Sequence, residues 1–191
     1  KEVVTTPMKE HQRYFPVSKD GKLLPYFIAV RNGDKHAIDI VKAGNEKVLE
    51  ARLADALFFY DEDIKKPLES FVENLKTVVF QAKLGTVYDK TLRIEKLAQD
   101  IVETLDEKEI LNDTLRAAKL CKADLVTNMV FEFTELQGVM GREYAKVGGE
   151  NDAVAQAIFE HYLPRFAGDI LPQTQEGIAL SIADKLDSIA G

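Results

Sequence analysis

The spacing of apolar positions changes along the chain, and the change divides it. Residues 3–6, Val-Val-Thr-Thr, are β-branched and suit a strand. Between residues 11 and 31 two aromatic and β-rich runs, HQRYFPV and LLPYFIAV, flank Ser18–Lys22, which contains the turn pair Asp20-Gly21. This pattern predicts a β-hairpin. Pro16 and Pro25 fall at edge positions or strand ends, because proline donates no ladder hydrogen bond. One hairpin is marginal alone, so it is expected to belong to a larger sheet.

From about residue 36 the period becomes helical, with Leu49, Leu53, Ala56, Leu57 and Tyr60 three and four apart. Pro67 opens a predicted helix over PLESFVENLKTVVF, and Gly85 breaks it. Thr86 and Asp89 form a capping-box pattern ahead of Ile94, Leu97, Ala98, Ile101 and Leu105. Asp106 and Glu109 repeat that logic before Leu111, Leu115 and Ala118. Leu125, Met129 and Phe133 form another stripe. Asn151 or Asp152 caps a helix that Pro164 ends, and Ile178, Ile182, Leu186 and Ile189 mark the apolar face of the last helix. The expected fold is α+β but predominantly α, a short N-terminal β-hairpin joined to six or seven helices. The boundary falls between Phe59 and Thr86 and is set at 65/66, giving segments 1–65 and 66–191. Val3 follows without a start methionine and Ile189-Ala190 lies inside an apolar pattern, so both ends are expected to continue into a longer polypeptide.

Composition changes this picture little. With 46% hydrophobic and 30% charged residues the balance is globular. One cysteine, Cys121, precludes an internal disulfide and a cysteine-built zinc cluster, and suits a reducing cytoplasmic setting. No apolar run approaches the roughly 20 residues of a membrane span. Net charge is −7, which disfavours nonspecific nucleic-acid binding by the chain as a whole. The distribution is uneven. Residues 1–31 carry six basic side chains against three acidic ones, whereas residues 99–115 carry six acids and one lysine. A local basic surface is therefore compatible with the sum.

Candidate chemistry is sparse. His11 is read in a strand, His36 at a helix start and His161 near a helix end, with no second histidine at metal-binding spacing. His11 sits among Lys9, Gln12, Arg13 and Tyr14, a basic, amide and aromatic mixture suited to RNA. The acidic groups Asp61-Glu62-Asp63, Glu132 with Glu135, and Asp184 with Asp187 read as solvated helix faces. Cys121 reads as a small buried hydrophobe. No nucleophile elbow, phosphate loop or dinucleotide fingerprint occurs.

Six stretches carry more. TPMKEHQRYFPV, GNEKVLEARLADALFFYDED, FQAKLGTVYDKTLRI, KADLVTNMVFEFTELQGVMGREYA and YLPRFAGDILP, with ALSIADKLDSIAG, follow one another in an order that resembles the bacterial glycyl-tRNA synthetase β subunit. The resemblance covers essentially the whole chain. It implies a cytoplasmic α2β2 enzyme that joins glycine to its tRNA with ATP. ATP, Mg and the adenylation site belong to the α subunit, so the segment is expected to hold no cofactor. The partners implied are glycine tRNA and the α subunit, with no membrane. It also implies that residues 66–191 are similar to HD-type phosphohydrolases, which hold a metal with a histidine, a His-Asp pair and a later aspartate. Here the first histidine falls near Lys90-Thr91, the pair near Cys121-Lys122, and the later aspartate at Asp184 or Asp187. No His-Asp pair occurs anywhere in the chain, so the site is expected to be degenerate, with no catalytic residue and no metal. Lys9, His11, Arg13, Lys83, Lys90 and Arg93 are the expected tRNA contacts, from charge and position. The competing readings are an HD-type metal-dependent phosphohydrolase and a scaffold contacting the α subunit.

Overall fold

The computed structural model describes residues 2–191, which divide into two compact units with the boundary between Glu62 and Asp63. The fold is mostly helical with a short hairpin, as the α+β reading expects.

In the first unit the hairpin pairs β1 (Tyr14–Lys19) with β2 (Lys22–Ala29), antiparallel. Asp20 and Gly21 form its two-residue loop with φ of +50° and +75°, the left-handed pair that matches strand twist. The register shifts between Pro16 and Ser18, where proline cannot donate. Tyr14 stacks on Phe27 at 4.8 Å. Val3–Thr6 departs from the strand expectation. It lies in α1 (Glu2–Thr6), followed by a π turn over Pro7–His11, so His11 precedes the strand. β-branched propensity is a weak prior that tertiary context overrides. The long helix α2 (Ile38–Asp63) completes the unit, and its last residue, Asp63, opens the second. Met8, Leu49 and Ala56 are buried, while Phe15, Tyr26 and Ile28 stay more than half exposed.

In the second unit Pro67 caps a 3₁₀ helix over Leu68–Thr77 where an α-helix was expected. A minimal ladder follows, β3 (Val79–Gln81) with β4 (Gly85–Thr86). The capping box holds: Thr86 Oγ1 accepts from Asp89 N at 3.2 Å, and Asp89 Oδ2 accepts from Thr86 N at 2.7 Å. It opens α3 (Val87–Thr104), which packs on α4 (Leu111–Leu120) and α8 (Gln175–Ala190). The second capping site fails, since Asp106 adopts φ +57° and no side chain caps α4. The Leu125–Phe133 stripe is broken into a 3₁₀ turn, α5 (Asn128–Glu132) and another turn. α6 (Val139–Val147) and α7 (Asp152–Glu160, capped by Asn151) close the bundle. Ile94, Val102, Leu120, Met140, Ile158 and Leu180 are core residues with no more than 0% exposure, which is where the apolar burial of the unit concentrates.

Candidate functional site: a buried chain of lysines and carboxylates

The capping box fixes the start of α3, so Lys90 and Arg93 come one turn apart. Lys122 follows the end of α4, and Asp184 and Asp187 lie three apart on α8. Packing of these elements aligns five charges of alternating sign. Lys122 Nζ lies 2.9 Å from Asp184 Oδ2, and Lys90 Nζ lies 3.1 Å from the other oxygen of the same carboxylate. Lys90 Nζ also meets Asp187 Oδ2 at 2.9 Å and Ser188 Oγ at 2.8 Å. Arg93 Nε ends the series at Asp187 Oδ1, 2.5 Å away. The side chains of Lys90, Lys122 and Asp187 are 5–7% exposed, so only Arg93, at 36%, opens to solvent. Burial would raise the Asp184 carboxyl, but Lys122, with His161 and Lys90, holds it down at about 2. Burial acts on Asp187 the same way and is outweighed by the hydrogen bonds from Arg93 and Lys90.

A second buried layer lies behind these charges. His161 caps the end of α7 and its Nδ1 donates to the Ile158 carbonyl at 2.5 Å, which leaves Nε2 without a protein partner. Burial, then the charge of Lys122, lowers its pKa well below the usual range. The Tyr162 ring sits 3.8 Å from that of His161 and 4.2 Å beneath Lys122 Nζ. Asp124 Oδ2 accepts from Gly138 N at 2.6 Å and Gly141 N at 3.0 Å. Burial pushes its carboxyl up to about 6 against those two bonds. Close approach explains both glycines: a Cβ on Gly138 would come within 2.6 Å of the Tyr162 ring, and one on Gly141 within 2.7 Å of Ile158.

The donor set does not fit a metal. Both oxygens of Asp184 face ammonium groups, which repel a cation and have no lone pair to offer it. Among the described residues no group of three or more His, Cys, Asp or Glu is placed to hold one. Nor is Cys121 a nucleophile, since burial pushes its thiol up to about 12.

The sequence-derived RNA contacts separate on this structure. Lys9, His11 and Arg13 are exposed on the first unit beside the start of β1, and Lys83 is exposed in the β3–β4 turn. Lys90 is 5% exposed, and its ammonium is bonded to Asp187, Ser188 and the Asp184 carbonyl. Arg93 spends its guanidinium on Asp187 and the Leu84 carbonyl. Neither offers the free cation that a surface RNA contact needs. Two acidic groups also differ from the solvated reading. Asp184 and Asp187 are the centre of the cluster, and Asp63 is buried, accepting from Asn128 N, Met129 N and Tyr144 OH. Nothing local betrays these partners, which lie 62 to 97 residues away.

A family model described as the glycyl-tRNA synthetase beta subunit matches residues 1–191. The chain belongs to that family. It is 76% identical over its whole length to the glycine–tRNA ligase beta subunit of Clostridioides difficile (strain 630), and covers 28% of that protein. The glycine–tRNA ligase beta subunit of Desulforamulus reducens is 61% identical over 99% of the chain, again 28% of the relative. That of Trichodesmium erythraeum is 56% identical over 98% of the chain. The chain thus spans little more than a quarter of the β subunits it matches.

Proposed function

We propose that this stretch is a tRNA-handling, noncatalytic part of a glycine–tRNA ligase, working in the cytoplasm beside an α subunit that holds ATP, Mg and the adenylation site in an α2β2 assembly. Family membership over the whole chain supports the ligase. The observation that carries the noncatalytic role is the lysine pair on Asp184: the most charged interior site is closed by the protein's own cations. The helical unit is read as an HD-like bundle on the same ground, since Lys90, Lys122 and Asp184 converge from the three segments in which HD enzymes carry ligands. A metal-dependent phosphohydrolase is disfavoured by two ammonium groups at that point.

The tRNA contacts are assigned to Lys9, His11, Arg13 and Lys83, whose exposure suits phosphate binding. Lys90 and Arg93 are assigned to the framework that holds α3 to α8. The test is Lys9→Glu with Arg13→Glu in the full-length β subunit, assembled with α. Affinity for glycine tRNA falls and its salt slope shrinks by about two, one for each lost phosphate contact. Glycine-dependent ATP–pyrophosphate exchange stays unchanged, because adenylation lies elsewhere. An unaltered tRNA affinity and slope would leave this stretch as a scaffold for the α subunit.

A further inference from the structure

The most regular apolar stripe in the sequence, Ile178, Ile182, Leu186 and Ile189, does not face the core. It stands outward on α8, with exposures of 39, 42, 45 and 82%. The bundle instead buries the other side of the helix, through Gly177, Ala179, Leu180, Ser181 and Ala183. The reason is spatial. Small residues let α8 approach its neighbours closely, and a Cβ on Gly177 would already meet Glu160 and Thr174. Three of the four charges of the helix are turned inward too, Asp187 and Asp184 to the lysines and Lys185 to the Leu163 carbonyl at 2.7 Å, and the fourth, Glu176, is half-buried in the first turn.

The outward positions of α8 are therefore left without charge: Gln175, Ile178, Ile182, Leu186, Ser188, Ile189 and Ala190. In a chain of 30% charged residues this is unusual for a solvated surface. The spacing of four, four and three residues is that of a helix-packing seam. Its length is about 16 Å, eleven residues at roughly 1.5 Å each. So short a seam is too small for a free partner, since a stable interface between separate proteins takes about 800 Å² from each side. It is sufficient for a segment tethered in the same polypeptide, for which the entropy of association is largely met by the connection. The β subunits that match this chain are more than three times its length, so such a segment is available.

The geometry points to the outer face of α8 as the seat of an apolar helix from the part of the β subunit outside these 191 residues. The seam packs that helix by ridge-in-groove contact around Ile182 and Leu186, as a core interface with no ion pair.

The experiment places a cysteine at Ile182 (Ile182→Cys) in the full-length β subunit without α, and measures its alkylation by N-ethylmaleimide. Lys96→Cys on exposed α3 is the reference, and buried Cys121 supplies an internal slow thiol. Alkylation at 182 runs at least tenfold slower than at 96, independently of subunit concentration. A photo-crosslinking side chain at 182 then joins to the same polypeptide outside these residues. Equal rates at 182 and 96 overturn the assignment. So does protection that appears only on adding the α subunit, protection lost on dilution, which marks a second copy, or a crosslink falling within residues 1–62.

Discussion

Lys122 approaches Asp184 from one side at 2.9 Å while Lys90 approaches it from the other at 3.1 Å, so one buried carboxylate is shared between two ammonium groups. A shared ion is sensitive to the loss of either partner. Lys122→Met leaves Asp184 with one cation, and Asp184→Asn leaves two lysines with one neighbouring carboxylate. Each single change is expected to lower unfolding stability by about 3 kcal/mol or more, the scale for an uncompensated buried charge. The double variant Lys122→Met with Asp184→Asn is expected to cost less than the sum. Strictly additive losses in urea titrations would show that the two groups act independently.

Lys83 and Lys90 are both lysines of the second unit, but their substitutions separate into different measurements. Lys83→Glu is expected to reduce the salt slope of tRNA binding by about one with little change in stability. Lys90→Gln is expected to do the reverse. It breaks two ion pairs that are 5–14% exposed and lowers the unfolding midpoint, while the binding slope of the folded protein stays put. A loss of RNA affinity with Lys90→Gln at full stability would return that residue to the RNA surface.

Asp124 and His161 oppose each other as pH changes. The folded pKa of Asp124, about 6, exceeds its unfolded value of 3.8, so its ionisation costs stability above pH 6 and that cost fades as pH falls toward 4. The full span is about 3 kcal/mol, at about 1.4 kcal/mol per unit. His161 has a folded pKa well below 6.5, so the unfolded chain takes the proton first and stability drops as pH falls below 6.5. The two slopes have opposite sign across the same window. Asp124→Asn removes one of them. This variant is expected to be at least as stable as the parent at pH 7.5 and to lose stability more steeply between pH 6.5 and 4. Parallel profiles for variant and parent would refute it.

Gly138 is a further test of the packing. It begins α6 at φ +76° with the Tyr162 ring where a Cβ would go. Gly138→Ala adds backbone strain to a clash and is expected to cost about 2–4 kcal/mol, from positive-φ strain plus overpacking. Gly149, also at positive φ (+90°) but in open space, is the control and should cost only about 1 kcal/mol when changed to alanine.

Much of the fold was legible from local chemistry. The Asp20-Gly21 hairpin, the Thr86–Asp89 capping box and the Asn151 cap each follow from interactions within a few residues, which the sequence displays directly. The convergence of Lys90, Lys122 and Asp184 is stated by no local pattern. What escaped were features decided by distant partners. Asp184 and Asp187 have the spacing of a solvated face and are buried because cations from α3 and the end of α4 meet them. The last helix has its clearest apolar stripe on the outside, because the bundle selects the small residues opposite. Val3–Thr6 shows β propensity yet forms a helix, and short β-branched runs carry too little free energy to resist their surroundings.

The depth of Cys121 has a practical consequence. The chain has one thiol, it is fully buried at the end of α4, and its high pKa keeps it in the unreactive protonated form. Oxidants and alkylating agents therefore reach it only when the bundle opens. Its modification rate under native conditions is a built-in clock for that opening, read without any label. Changes to the lysine–aspartate chain that loosen α3, α4 and α8 would register in that clock before they register in bulk unfolding.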